Sequence, residues 1–260
     1  MTMRADIWRK HLIGNDYQIY LKRKLYYNSV SLFPHALPKE VQDIISKDIP
    51  RTNILGADTD NEKIEALLHQ YATVMPCDSY IQGFAYLMLV LYHVYSENDK
   101  EHAMADTFWS FGTIVSIIRP GIPGHDPDDF HKYTAVWKQH YIDNVRINHF
   151  LTHRWLTSFY DVLLPSISVK WLMVWFTQQF QLKELLIVWD SIICCDPAKR
   201  TKLLAIIAAN ITLQNKDNIA YWAEHCPSEI GPRLMCAGAK DAKIIVEMSR
   251  NAMLEYKLPF

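Results

Sequence analysis

The stretch FAYLMLVLYHVY, Phe84 to Tyr95, is apolar on every face that a helix could present, with only His93 interrupting the run from Phe84 to Val94. A segment of that kind has to be enclosed on all sides. It is far shorter than the roughly 20 residues that a membrane span needs, so the enclosing material must come from the chain itself. The rest of the sequence offers helices for the purpose. TDNEKIEALLHQYATVM places Ile64, Leu67, Leu68 and Tyr71 on one helical face, with Thr59 and Glu62 spaced as a capping box and Pro76 as the stop. DPDDFHKYTAVWKQHYIDNVRINHFLTHRW opens on an acidic, proline-bearing first turn and reads as one or two helices. SVKWLMVWFTQQF and LKELLIVWDSIICC follow Pro165 as two more. In DPAKRTKLLAIIAANITLQ, Asp196 is the expected N-cap and Pro197 the first helical residue. Glycine is scarce, at 8 residues, and β-branched alternation is rarely sustained. The expected fold is all-α, with FAYLMLVLYHVY as the axis of its core.

A chain of 260 residues that is 50% hydrophobic and 12% aromatic can build one large core or two coupled smaller ones. Pro, Gly and Asp concentrate at 32–38, 49–60 and 119–127. These read as loops within a single multi-helix domain spanning 1–260, or, at 119–127, as a hinge between two helical subdomains. Lys and Arg number 27 against 28 Asp and Glu, a net charge of -1 with no basic surplus to attract nucleic acid. The five cysteines, Cys77, Cys194, Cys195, Cys226 and Cys236, contain no Cys-x-x-Cys pair. They read as reduced thiols of a cytoplasmic protein. The opening MTMRADIWRKHLIG lacks the apolar core of a secretory signal, and the closing KLPF has no cysteine for prenylation.

Two polar elements break this apolar pattern. Ile45-Ser46-Lys47-Asp48-Ile49-Pro50-Arg51 fits I-x-x-D-x-x-R, and Tyr80-Ile81-Gln82-Gly83 fits Y-x-Q-G, with Gln82 31 positions after Arg51. Arg4-Ala5-Asp6-Ile7-Trp8 fits an R-x-x-x-W opening, and KWLMVWFTQQFQLKELLIVWDSII ends in the pair Trp189 and Asp190. In this order the four blocks, from residue 4 to about 193, resemble the TBC domain of Rab GTPase-activating proteins. The chain departs from that family's pattern at Ser79, Phe84, Ala85 and Ile187.

The resemblance implies an activator of a GTP-bound Rab-type GTPase, acting in vesicle trafficking, with Arg51 and Gln82 as an arginine and a glutamine finger supplied in trans. An inserted guanidinium is permanently charged and planar, and is worth about 10³ to 10⁵ in phosphoryl-transfer rate, or roughly 4 to 7 kcal/mol. A glutamine amide offers both a donor and an acceptor with which to orient the attacking water. Asp48 and Tyr80 would support the pair. Pro50 would stiffen the turn and bias Ile49 toward an extended form, and Gly83 would allow close approach to the nucleotide. The resemblance also implies that GTP and Mg²⁺ come with the partner, with which the lack of a G-x-x-x-x-G-K-[ST] loop in this chain agrees. Contact with membranes would be indirect, through that partner.

Other readings compete. Asp48 and Arg51 could be a surface ion pair at a turn, and Ser79 and Gln82 a capping box for the helix that follows. The same fold could also serve as a non-catalytic GTPase-binding or scaffold module. His125, Asp126, Asp128, Asp129 and His131 could hold a divalent ion in a hydrolase, although acidic residues there also suit a helix start.

Overall fold

The computed structural model describes residues 3–31, 37–54, 56, 60–75, 80–121, 132, 134–142, 170–239 and 241–255. These form helices and the turns joining them, with no strand among the described residues. The fold is all-α, as the apolar periodicity predicts. The chain divides into two compact units, Met1–Ile117 and Ile118–Phe260. The division falls just ahead of the 119–127 stretch, of which Arg119–Gly121 is a 3-10 turn and the remainder lies outside the described residues.

The first unit contains α1 (Met3–Leu12), α2 (Tyr17–Ser31), α3 (Lys39–Asp48), α4 (Asn61–Val74), α5 (Phe84–Asn98) and nearly all of α6 (Ala103–Ile118). Ten residues of α5 are buried, Phe84 and Leu87 through Tyr92 among them, so this helix is the axis of its unit. Ala5, Trp8 and Leu12 of α1 and Ile64, Leu67, Leu68 and Tyr71 of α4 are buried around it. Edge-on aromatic contacts run from Tyr80 to Phe84 (6.1 Å), on to Phe111 (5.2 Å) and then to Tyr71 (4.6 Å). The N-cap of α4 is Asp60, one residue past the expected Thr59; its carboxylate accepts the Lys63 amide at 3.2 Å. The Lys63 ammonium also pairs with this carboxylate at 2.9 Å. Arg9 of α1 donates to the buried Asp106 of α6 at 2.8 and 3.1 Å, joining the two helices.

In the second unit, residues 134–142 and 170–174 are helical, followed by α7 (Leu182–Ile193), α8 (Arg200–Gln214), α9 (Lys216–His225), α10 (Ile230–Cys236) and α11 (Ala242–Glu255). Its axis is α8, buried over most of its length. Asn210 of α8 donates to Ser249 of α11 at 2.9 Å, and Tyr141 donates to Thr212 at 2.8 Å.

The stretch SVKWLMVWFTQQF is not one helix. The chain leaves the helical path after residue 174, with Trp175 at φ 45° and Phe176 at φ 63°. Left-handed backbone at a bulky residue is unfavourable by about 1–2 kcal/mol. Here it is offset because both rings become fully buried, and the Trp189 indole donates to the Trp175 carbonyl at 3.0 Å. Periodicity could not show this, because the partner that rewards the turn is 14 residues away.

Asp196 caps as expected, accepting the Ala198 amide at 3.0 Å, although the turn from Pro197 to Lys199 is 3-10 and α8 begins at Arg200. The Arg200 guanidinium folds back over the end of α7. It donates to the carbonyls of Ile192 (3.0 Å), Ile193 (3.3 Å) and Cys195 (3.2 Å) at and beyond the helix end, where the α-helical ladder runs out; Ile192 also accepts the Cys195 amide at 3.4 Å. Arg200→Ala therefore strands buried acceptors, and is expected to lower stability by about 2 kcal/mol in urea unfolding, with Arg200→Lys nearly as damaging because an ammonium cannot reproduce the planar fork. A change below about 0.5 kcal/mol would show that water replaces these bonds.

Among the described residues no helix is long and apolar enough to cross a membrane. Cys194, Cys195, Cys226 and Cys236 are free thiols, and Cys77 lies outside the described residues.

Candidate functional site

The first polar element sits where α3 ends. Ile45 and Ile49 are buried on its inner side, and Pro50, with no amide proton, forces the change from α-helix to the 3-10 turn Ile49–Arg51. Ile49 is not extended. Its φ of -51° and ψ of -53° are helical, because burial of its side chain and the bond from its amide to the Ile45 carbonyl outweigh the bias that a following proline imposes. Thr52, itself buried, closes the turn: its amide donates to the Ile49 carbonyl at 3.0 Å and its hydroxyl to the Asp48 carbonyl at 3.0 Å.

The second element is a tight turn ahead of α5. The Phe84 amide donates to the Ile81 carbonyl at 3.0 Å. Gly83 adopts φ 102° and ψ -13°, the values required of the third residue in a type II turn. Glycine is needed for that left-handed backbone. Gly83 is the N-cap of α5, so Gln82 precedes the helix and is not at the third helical position that a capping box demands. Ser79 lies outside the described residues.

Asp48 joins the two elements. Its side chain is 5% exposed, and one oxygen, Oδ2, accepts both the Tyr80 hydroxyl and the Gly83 amide, the latter at 2.9 Å. A buried carboxylate needs such donors. It is therefore not the exposed partner of Arg51 that a surface-pair reading requires, and no ion pair links the two. A second tie runs the other way: Tyr86, in the first turn of α5, donates its hydroxyl to the Arg51 carbonyl at 3.1 Å. The side chains of Arg51 and Gln82 are exposed, and among the described residues neither forms an ion pair or side-chain hydrogen bond. Two solvent-facing side chains, one cationic and one an amide, thus project from a buried, cross-braced base.

Of the family-pattern departures, Phe84 and Ala85 are fully buried in the core beneath this site. Ile187 is half-buried on α7. Trp189, at the end of the last block, belongs to the second unit's core, ring to ring with Trp175 at 5.4 Å. Tyr86 and Thr52 escaped sequence reading. Tyr86 stood inside an all-apolar helix and read as core, and a threonine after an arginine carries no distinguishing signal. The 125–131 cluster lies outside the described residues, among which no group of three or more His, Cys, Asp or Glu could hold a metal.

Burial, reinforced by the negative charge of Asp48, pushes the Tyr80 phenol well above its ordinary value. Burial raises Tyr95 as well, and brings Tyr27 up to about 12. Unfolded phenols titrate near 10 (about 10 in model peptides). The stability linked to these neutral phenols is therefore complete below about pH 10 and is lost as pH rises from there through the folded values. Above about pH 10, phenolate absorbance from these tyrosines is expected to appear together with loss of helical circular dichroism. Ionisation of every tyrosine near pH 10 with the helices intact would contradict the burial.

The comparisons with known proteins agree with this architecture. The sequence profile of the Rab-GTPase-TBC domain matches residues 1–220. TBC1 domain family member 13 of Homo sapiens is 25% identical over 149 residues, which are 54% of this chain and 36% of that protein. Its Mus musculus counterpart is 25% identical over 145 residues, 53% of this chain and 35% of that protein. These alignments thus span about a third of the curated relatives. Among solved structures, the crystal structure of the Ypt/Rab-GAP domain of Gyp1p superposes with a TM-score of 0.73 at 15% identity, covering 98% of this chain and 88% of that one. With its all-helical fold and a family match over most of its length, the chain belongs to the Rab-GTPase-TBC domain family.

Proposed function

We propose that this chain is a GTPase-activating protein for a Rab-type small GTPase, inserting Arg51 as an arginine finger and Gln82 as a glutamine finger into its GTP-bound partner. GTP and Mg²⁺ belong to that partner, and this chain's contribution is preorganised charge and an oriented water. The observation that carries the reading is the pairing itself. An exposed guanidinium and an exposed carboxamide, 31 residues apart in sequence, rise from elements bound together by the buried Asp48. A guanidinium stabilises charge developing on the γ-phosphoryl oxygens, and an amide can both donate to and accept from the attacking water. Rigid support matters because a mobile arginine would lose part of its effect to ordering in the transition state.

The activity turns off a trafficking switch, with membrane contact made through the partner. The deciding experiment is single-turnover GTP hydrolysis by a panel of Rab-type GTPases, with and without this protein and with Arg51→Ala and Gln82→Ala. Acceleration of one GTPase that both substitutions reduce by orders of magnitude supports the reading. Binding without acceleration would instead make the chain a non-catalytic GTPase-binding module.

A further inference from the structure

We propose that Tyr86 is the positioning residue for Arg51, and that Tyr86 and Asp48 together hold the two fingers as one unit. The inference rests on the catalytic reading of Arg51 given above. Arg51 ends the 3-10 turn Ile49–Arg51, so its carbonyl has no partner within that turn. The neighbouring Ile49 and Asp48 carbonyls are taken by Thr52, and the Arg51 carbonyl is taken by the Tyr86 hydroxyl at 3.1 Å. Tyr86 follows Phe84 and Ala85, both fully buried, at the start of the most enclosed helix of its unit. Tyr86 itself is half-buried, and its hydroxyl reaches the Arg51 carbonyl at a solvent-open bond from a helix turn whose preceding residues are fully enclosed.

The two ties are reciprocal. Asp48, three residues before Arg51, holds the amide of Gly83 beside Gln82, while Tyr86, four residues after Gln82, holds the main chain of Arg51. Each finger is thus fixed by the element that carries the other. Tyr86 bonds to the main chain of Arg51, so its proposed effect passes through the orientation of the arginine. Removing the hydroxyl leaves ring and helix in place and takes away the bond on the carbonyl side of the Arg51–Thr52 peptide, whose amide still donates to Ile49, so the peptide keeps one tie where it had two and more of its ordering falls to the moment when the guanidinium meets the transition state.

The test compares wild type, Tyr86→Phe, Arg51→Ala and the double variant on a GTPase that wild type accelerates. Three readouts are single-turnover rate, binding to the GTPase loaded with a non-hydrolysable GTP analogue, and binding to its GDP–aluminium fluoride transition-state mimic. Tyr86→Phe is expected to slow hydrolysis and weaken the mimic complex about five-fold each, with the GTP-analogue complex unchanged. In the Arg51→Ala background it should change neither complex. An equal loss in both backgrounds, or weakening of both complexes alike, would reduce Tyr86 to a general structural role. No effect of Tyr86→Phe where Arg51→Ala abolishes acceleration would overturn this inference alone. Failure of wild type to accelerate any GTPase would overturn the catalytic reading and this inference with it.

Discussion

Arg51→Ala is expected to lower the acceleration of GTP hydrolysis by about 10³-fold or more, with no measurable change in thermal stability. The guanidinium is exposed, and among the described residues it has no ion-pair or hydrogen-bond partner, so truncation leaves nothing buried and unpaired. Surface substitutions of that kind stay within about 0.5 kcal/mol. The separation of the two readouts is what makes the experiment informative: a large kinetic loss on an unchanged fold locates the function of the side chain outside this molecule. Arg51→Lys keeps the charge but loses the planar fork, and should recover only a small part of the rate. Gln82→Ala, exposed in the same way, is expected to reduce acceleration about 10²-fold, the scale of removing one preorganised polar group from a transition state. Full acceleration by Arg51→Ala would make the arginine an ordinary surface residue and end the finger reading.

Asp48→Ala should be the most destabilising substitution at the site, lowering the free energy of unfolding by about 3 kcal/mol, because it strands the Tyr80 hydroxyl and the Gly83 amide in a buried setting. It should also remove acceleration, since the turn carrying Gln82 and the helix end carrying Arg51 lose their shared acceptor. Asp48→Asn provides the contrast. Both donors converge on one oxygen, Oδ2, and an amide oxygen placed there can accept both. The expected loss is about 1 kcal/mol, the difference between a charged and a neutral acceptor. Urea unfolding of the three proteins ranks them directly. Equal effects of alanine and asparagine would mean that negative charge, and not the geometry of one acceptor oxygen, holds the elements together.

Much of the molecule was legible in the chain because helix formation leaves local marks. Apolar residues at three- and four-residue spacing gave α4 its buried face, and an all-apolar stretch gave α5 its central place, since each of these patterns depends on neighbours within two turns. Helix starts were less legible. Asp60 is the cap one residue after the expected Thr59, because two good capping residues stand side by side and local spacing does not choose between them. The left-handed path at Trp175 and Phe176 left no mark, since what stabilises it is the burial of two rings and a bond from Trp189 across the fold.

At the site the division is similar. The sequence by itself determined which residue types were present, the arginine, the glutamine, the glycine able to take a positive φ and the proline that ends α3, because these are intrinsic properties of side chains and backbone. Only the tertiary structure decided that Asp48 faces inward to Tyr80 and Gly83, not outward to Arg51, and that Tyr86 reaches back to the Arg51 carbonyl. Those bonds span 32 to 35 residues, and they exist only because α3 and its 3-10 turn pack on α4, and α4 on the buried α5, which places the two turns side by side.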